Sequence, residues 1–402
     1  MKLSKLDFNV LDMLSQKMGK SFYIFSSQLF EENYTRFSKT LKKYYKNSHV
    51  AYAVKANYMP EIIRSLSTLK GTAEVVSNFE YDVARMFLDG RDIIFNGPVK
   101  SESDIEKAIK EGSTVNIDSW YQIELIQKLS GDFSRIELGL RYNSNEVFSD
   151  CRFGFNYENG DLARAVEMLK AIDNVKITSL HSHYSSSDKS PSFFEKRARK
   201  SIELHKELTL TDLQTVNIGG GFMGTLPAAL LEQFGGVQHS FESYAEVLGR
   251  TFSDEYGEHG PRLVIEPGVS LVGDTMKLAA KVLEIKEMHG RLYAVLDTSI
   301  NVLNPTRSKV TPSCSSLSSS DNGETGAREY TLVGNTCMET DILVANFKGN
   351  LSTGDFVVFD NRGAYSNNFT PAFIMPQPGI VTTEGKVVKQ PDDIHSILHT
   401  YS

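Results

Sequence analysis

The residue types that could do chemistry gather around one lysine. Lys55 closes the apolar run Val50–Val54, which reads as a buried strand, and Pro60 stands in the first turn of a following helix. An amine delivered by an apolar strand to a partly desolvated rim becomes nucleophilic and suits Schiff-base chemistry. The same position also suits a lysine that merely reaches solvent along its stem. Glu266, in Ile265-Glu266-Pro267-Gly268, ends another apolar run. A carboxylate there can keep a pyridine-type nitrogen protonated and make its ring an electron sink, or it can pair with an arginine.

Three further stretches carry candidate chemistry. His181-Ser182-His183-Tyr184-Ser185-Ser186-Ser187 follows an apolar strand. An imidazole at a strand end can stack on a flat ring, and the hydroxyls beside it suit phosphate. Two histidines at i and i+2 are also a possible metal pair, but no third His or Cys ligand stands nearby. Asn217-Ile218-Gly219-Gly220-Gly221-Phe222-Met223-Gly224 is a glycine-rich turn whose N–H groups can cradle phosphate; it lacks the lysine of a Walker-type loop. Cys337, in Gly334-Asn335-Thr336-Cys337-Met338-Glu339-Thr340-Asp341, is either a small buried hydrophobe or a thiol acid facing a reactive carbanion.

The elements that must position these residues alternate regularly. Val50–Val54, Glu74–Val76, Ile93–Phe95, Thr114–Ile117, Ile136–Tyr142, Thr178–His183, Thr215–Ile218 and Leu263–Glu266 read as strands. Amphipathic helical stretches separate most of them, and another precedes the first, with Leu29, Phe30, Tyr34, Phe37 and Leu41 on one face. Eight such units over about 220 residues predict a (β/α)8 barrel, with a doubly wound open sheet as the alternative. After Glu266 the pattern changes to short strands at Lys277–Glu287, Arg291–Asp297, Tyr330–Val333, Asp355–Phe359 and Gly379–Val381, an all-β domain. The Ser- and Gly-rich stretch Thr311–Arg328 reads as a mobile surface loop.

Composition narrows the function classes. The net charge of −7, from 50 acidic and 43 basic residues, argues against nucleic-acid or anionic-membrane binding. Cys151, Cys314 and Cys337 form no CxxC pair, which fits a reducing compartment, and Met1–Lys20 holds no continuous apolar h-region. No apolar run reaches the roughly 18 residues of a membrane span. A cytoplasmic protein is expected.

Taken in order, the motifs AVKAN (Ala53–Asn57), HSHYSSS (His181–Ser187), GGG (Gly219–Gly221), EPG (Glu266–Gly268), DTSINVLNP (Asp297–Pro305), GNTCMETD (Gly334–Asp341) and GAY (Gly363–Tyr365) resemble the fold-type III pyridoxal-phosphate enzymes of the diaminopimelate/ornithine decarboxylase family. The resemblance implies a barrel over residues 28–272 that binds pyridoxal 5'-phosphate. It also implies a β-rich domain, residues 1–27 and 273–402, that serves a homodimer and its shared active sites. By the same resemblance Lys55 forms the Schiff base, His183 stacks on the ring, Glu266 pairs with the ring nitrogen, and Arg141 lines the site. Ser186, Gly220, Gly221, Gly268 and Tyr365 hold the phosphate, and the partner subunit's Cys337 donates a proton. The implied reaction is decarboxylation of an amino acid or an amino-acid conjugate. The alternative is a racemase or epimerase that uses Lys55 and Cys337 on opposite faces. The chain departs from the family where it usually reads the far end of the substrate: Val269 and Asn304 replace arginines, and Met338 replaces an acid. With Tyr365, Asn304 and Met338 are the expected substrate contacts, and neither a distal ammonium nor a distal carboxylate is expected to bind in the family's usual way.

Overall fold

A computed structural model describes residues 3–319 and 327–401, without the side chains of Ser4 and Thr400. The chain divides into two compact units: Glu31–Gly224 with His239–Leu271, and Met1–Phe30 with Thr225–Gln238 and Val272–Ser402. Among the described residues no helix is long and apolar enough to cross a membrane.

The first of these units is a closed parallel barrel. Its strands, in chain order, are Ser48–Ala53, Thr72–Val75, Ile93–Phe95, Thr114–Ile117, Ile136–Asn143, Val175–His181, Thr215–Asn217 and Arg262–Ile265. Leu263 pairs with Ser48, and Asn116 with Gly139, so every strand has a neighbour on both sides. That closure excludes the open sheet. The strands are almost wholly buried, which is why they read as apolar runs rather than as alternating patterns.

Local signals set the helices between the strands. Pro60 opens Pro60–Thr68, where its missing N–H costs nothing. Ser101 and Asp104 form a reciprocal cap on Glu102–Lys110, and Ser240 with Ser243 does the same for Phe241–Tyr256. Helix Ser27–Tyr44 buries Phe30, Tyr34, Phe37 and Leu41 on one face. Phe37 stacks on Phe241 with centroids 4.5 Å apart and meets Phe222 edge-on at 5.3 Å. Each such buried aromatic contributes about 1.5–3 kcal/mol through burial.

The second unit is β-rich, as expected. Phe22–Phe25 runs antiparallel to Met276–Met288 and parallel to Gly379–Thr382. The long Met276–Met288 strand serves two partners. Its first half pairs with Phe356–Phe359 and its second with Arg291–Leu296, with an irregularity between Val282 and Glu284. Helix Phe8–Met18, capped by Asp7 and closed by Gly19 at φ 70°, packs Leu11, Leu14 and Met18 onto Phe22, Ile24, Phe356 and Val358.

The Ser-rich stretch is not all loop. Cys314–Leu317 is a strand antiparallel to Phe356–Phe359, with Cys314 opposite Phe359 and Leu317 opposite Phe356. The ladder uses backbone groups, which serine supplies as well as any residue, and Leu317 packs against the apolar core. Residues 320–326 of that stretch lie outside the described residues. Two further strands, Ile342–Gly349 and Val387–Lys389, went unforeseen in the sequence.

Candidate active site

Inside the barrel unit, the strand ends converge on a buried polar network. Lys55 sits in the short turn Val54–Ala56 that follows the first strand. Its Nζ bonds Oε2 of Glu74 on the second strand, a carboxylate whose side chain is 1% exposed. Glu74 Oε1 accepts from Asn96 Nδ2 at 2.9 Å. The same amide nitrogen reaches Glu266 Oε1 at 2.8 Å, and Asn217 Nδ2 reaches that oxygen at 2.6 Å. Asn116 completes the relay by donating to Asn96 Oδ1 at 2.7 Å. One asparagine therefore ties the lysine's counter-ion to the carboxylate at the end of the eighth strand.

The two oxygens of Glu266 are used differently. Oε1 takes two amide donors, while buried Oε2 has no hydrogen-bond donor among the described residues. His181 Nε2 lies 3.4 Å from Oε2 without hydrogen-bond geometry. Burial pushes the Glu266 carboxyl up, but the facing His181 ring and the Lys55 ammonium outweigh it and hold the group well below the usual carboxylate range. Glu266 is an ionised carboxylate with one oxygen ready to accept a proton-bearing ring nitrogen.

The His183 ring is held by the glycine turn. Gly220 N donates to its Nδ1 at 3.0 Å, which places the ring proton on Nε2. Burial, with the charges of Lys55, Arg197 and Arg141, keeps this imidazole neutral, well below its ordinary pKa. Gly220 must lack a side chain, because a Cβ there would come 2.2 Å from the backbone oxygen of Glu266. Gly268 lies against the lysine turn: a Cβ would meet those of Ala56 and Ala53 at 3.0 and 3.1 Å, and Ala53 N donates to Pro267 O at 3.2 Å. The EPG and AVKAN motifs thus touch.

Arg141, on the fifth strand, pairs with buried Asp118 at 2.8 Å and donates to His183 O at 3.2 Å, with its guanidinium over the Phe153 ring. Ser186 is half-buried and accepts from Asp188 N at 3.0 Å. Among the described residues no cluster of three His, Cys, Asp or Glu could hold a metal ion. His181 and His183 have separate neighbours, Glu266 and Gly220 respectively.

Four of the expected residues belong to the β-rich unit. Cys337 is exposed and Met338 half-buried. Asn304 spends both polar atoms inside its own turn: Nδ2 donates to Ser308 O at 2.6 Å, and Oδ1 accepts from Ser308 N at 3.0 Å. Tyr365 takes a left-handed backbone, φ 50°, uncommon for a bulky residue and typical of functional segments.

Glu74, Asn96, Asn116, Asp118, Asn217 and Arg197 carry no site role in the sequence reading. Their common signal is a polar residue inside or just after a buried strand, or on the buried face of a helix. Buried polar groups demand partners, so their presence marks a network.

The residues fit pyridoxal 5'-phosphate on this geometry: a lysine paired with a buried carboxylate, a neutral flat imidazole, a glycine turn, and an ionised carboxylate with an orphaned buried oxygen. Comparison with known proteins points the same way. Residues 29–273 match the family described as pyridoxal-dependent decarboxylase, pyridoxal binding domain. The diaminopimelate decarboxylase of Methanocaldococcus jannaschii is 26% identical over 307 residues, 72% of this chain and 69% of its own. That of Bacillus subtilis is 25% identical over 396 residues, 92% of this chain and 88% of its own. The crystal structure of the M. jannaschii diaminopimelate decarboxylase superposes with a TM-score of 0.86 at 23% identity, over 96% of this chain and 93% of that one.

Proposed function

Because this chain belongs to the pyridoxal-dependent decarboxylases, carboxy-lyases that use pyridoxal 5'-phosphate, we propose that it removes the α-carboxylate of an amino acid or an amino-acid conjugate. Lys55 carries the cofactor, and the partner subunit's Cys337 returns a proton to the α-carbon. The observation that carries this reading is the divided carboxylate of Glu266, with Oε1 saturated by two amides and Oε2 buried without a donor.

Bound pyridoxal phosphate supplies an electron sink for the pair left when the carboxyl group departs as carbon dioxide. The chain's own residues prepare for that chemistry. Glu74 neutralises the Lys55 ammonium and orients it through a bond from the neighbouring strand. Glu266 keeps its negative charge inside the barrel, where low dielectric strengthens its hold on a ring proton. His183 presents an uncharged face, fixed in orientation by Gly220. Asp118 holds the Arg141 guanidinium in place. Ser186 supplies a hydroxyl, and Gly221 and Gly268 supply N–H groups, suited to phosphate oxygens; Gly220, whose N–H is bonded to His183, gives the cradle clearance.

The barrel, residues 28–272, is the cofactor-binding domain in this reading. Residues 1–27 and 273–402 serve the homodimer and the partner's site. The relatives are named for diaminopimelate, but Met338 has no charge and Asn304 is engaged with its own turn. The substrate therefore carries a neutral far end, or one that extends out of the site. The test is a panel of amino acids and their acyl conjugates, followed by mass spectrometry. Loss of carbon dioxide from at least one supports the reading. Loss of optical activity without release of carbon dioxide would replace it with the racemase.

A further inference from the structure

We propose that Lys189 is a phosphate-binding residue of this site, supplying the cationic wall of the glycine cradle. The inference rests on the cofactor reading above and extends it to a residue outside the motifs. Gly221 has φ 104°, and a Cβ built there would find only Tyr184 O at 3.7 Å, Lys189 Nζ at 3.9 Å and Phe194 Cζ at 4.0 Å. A methyl-sized group therefore fits beside this glycine without a clash, and an ammonium is among its neighbours.

The position of Lys189 is built rather than incidental. The hydroxyl of fully buried Tyr244 donates to Lys189 O at 2.5 Å and accepts from Met223 N at 3.3 Å, clamping the lysine backbone to the far end of the glycine segment. On the other side, Asp188 accepts from Ser190 N at 2.8 Å, and Ser190 caps helix Pro191–Glu207. Among the described residues no carboxylate lies within salt-bridge distance of the Lys189 ammonium. Burial and the neighbouring Arg197 charge lower its pKa, with Asp188 opposing them. A second cation lies below the turn. Arg197 is fully buried and donates to the carbonyls of Gly220 at 3.0 Å, Ser182 at 3.3 Å and Ile218. Two cations thus border one glycine turn, and neither is ion-paired among the described residues. Arg197 is fully buried and Lys189 partly so; positive charge withdrawn from water without a direct ion pair is costly, and a phosphate dianion relieves that cost. Val269, just after the EPG turn, adds no charge of its own.

The experiment titrates apoprotein with pyridoxal 5'-phosphate and, separately, with pyridoxal, following absorbance or fluorescence. It compares the unmodified chain with Lys189→Met and Lys189→Arg. The expected result is phosphate-selective: Lys189→Met weakens pyridoxal-phosphate binding at least tenfold, leaves pyridoxal binding unchanged, and is largely rescued by Lys189→Arg. Inorganic phosphate should protect the unmodified protein against pyridoxal phosphate more strongly than it protects Lys189→Met. Unchanged pyridoxal-phosphate affinity in Lys189→Met, or equal weakening of both ligands, would overturn the role of Lys189 and leave the cofactor reading standing. Failure of the unmodified protein to bind pyridoxal phosphate at all would overturn both.

Discussion

Lys55 and Glu74 meet across adjacent barrel strands, with the lysine amine bonded to a carboxylate that solvent does not reach. The pair places one primary amine in a fixed direction at the barrel's C-terminal rim. Lys55→Ala should therefore abolish covalent attachment of the cofactor, since only a primary amine forms the imine. Borohydride reduction and peptide mapping should find the label on Lys55, and label on another lysine would refute the assignment.

Glu266→Gln should retain the cofactor and lose turnover. A glutamine carbonyl can still accept from Asn96 and Asn217, so the network survives, but a neutral amide cannot stabilise a protonated ring nitrogen. The expected loss in kcat is well beyond tenfold, which is more than about 1.4 kcal/mol in the barrier. Near-normal turnover with a full complement of cofactor would exclude the role.

His49 gives the fold a calculable acid sensitivity. It lies on the first barrel strand with Nε2 2.6 Å from Thr72 Oγ1. Burial, with the charges of Arg262 and Lys42, lowers its pKa to about 4. The unfolded histidine titrates near 6.5, so between these values the unfolded chain binds a proton that the folded chain refuses. This contribution to stability is intact above about pH 6.5 and is lost as pH falls toward 4, by up to about 3 kcal/mol. His49→Gln should flatten the decline in denaturant midpoint between pH 7 and 4.5. An unchanged slope would assign the decline to other groups.

Met338→Asp tests the far end of the substrate. The unmodified protein should turn over meso-diaminopimelate, L-lysine and L-ornithine poorly, because a desolvated ammonium or carboxylate would lack a counter-charge. The aspartate should raise kcat/KM for L-lysine or L-ornithine. Efficient turnover of any of the three by the unmodified chain would show that a residue outside Met338, Asn304 and Val269 reads the distal group.

Much of the fold was legible because a parallel barrel buries both faces of its strands. Runs such as Val50–Val54 and Leu263–Ile265 are therefore continuous apolar signals, each followed directly by the residue it delivers, Lys55 and Glu266. The helix caps Ser101 and Ser240 are local chemistry and leave local signatures. Cys314–Leu317 was not legible, because edge pairing with Phe356–Phe359 is made by backbone atoms about 40 residues away in the chain, and its side chains announce a loop.

The candidate site divides along the same line. Strand period and turn residues are properties of neighbouring positions, so the places of Lys55, His183 and Glu266 at strand ends could be read along the chain. What they face depends on the closed barrel. Glu74 became the lysine's counter-ion, and Asn96 the bridge to Glu266, because barrel closure brings side chains 22 and 170 positions apart within hydrogen-bond distance of one amide. Arg197, on a helix face that reads as ordinary amphipathic pattern, came to lie beneath the glycine turn for the same reason. Hydrogen bonding acts over about 3 Å of space and is indifferent to separation along the chain, so its partners emerge only when the barrel has closed.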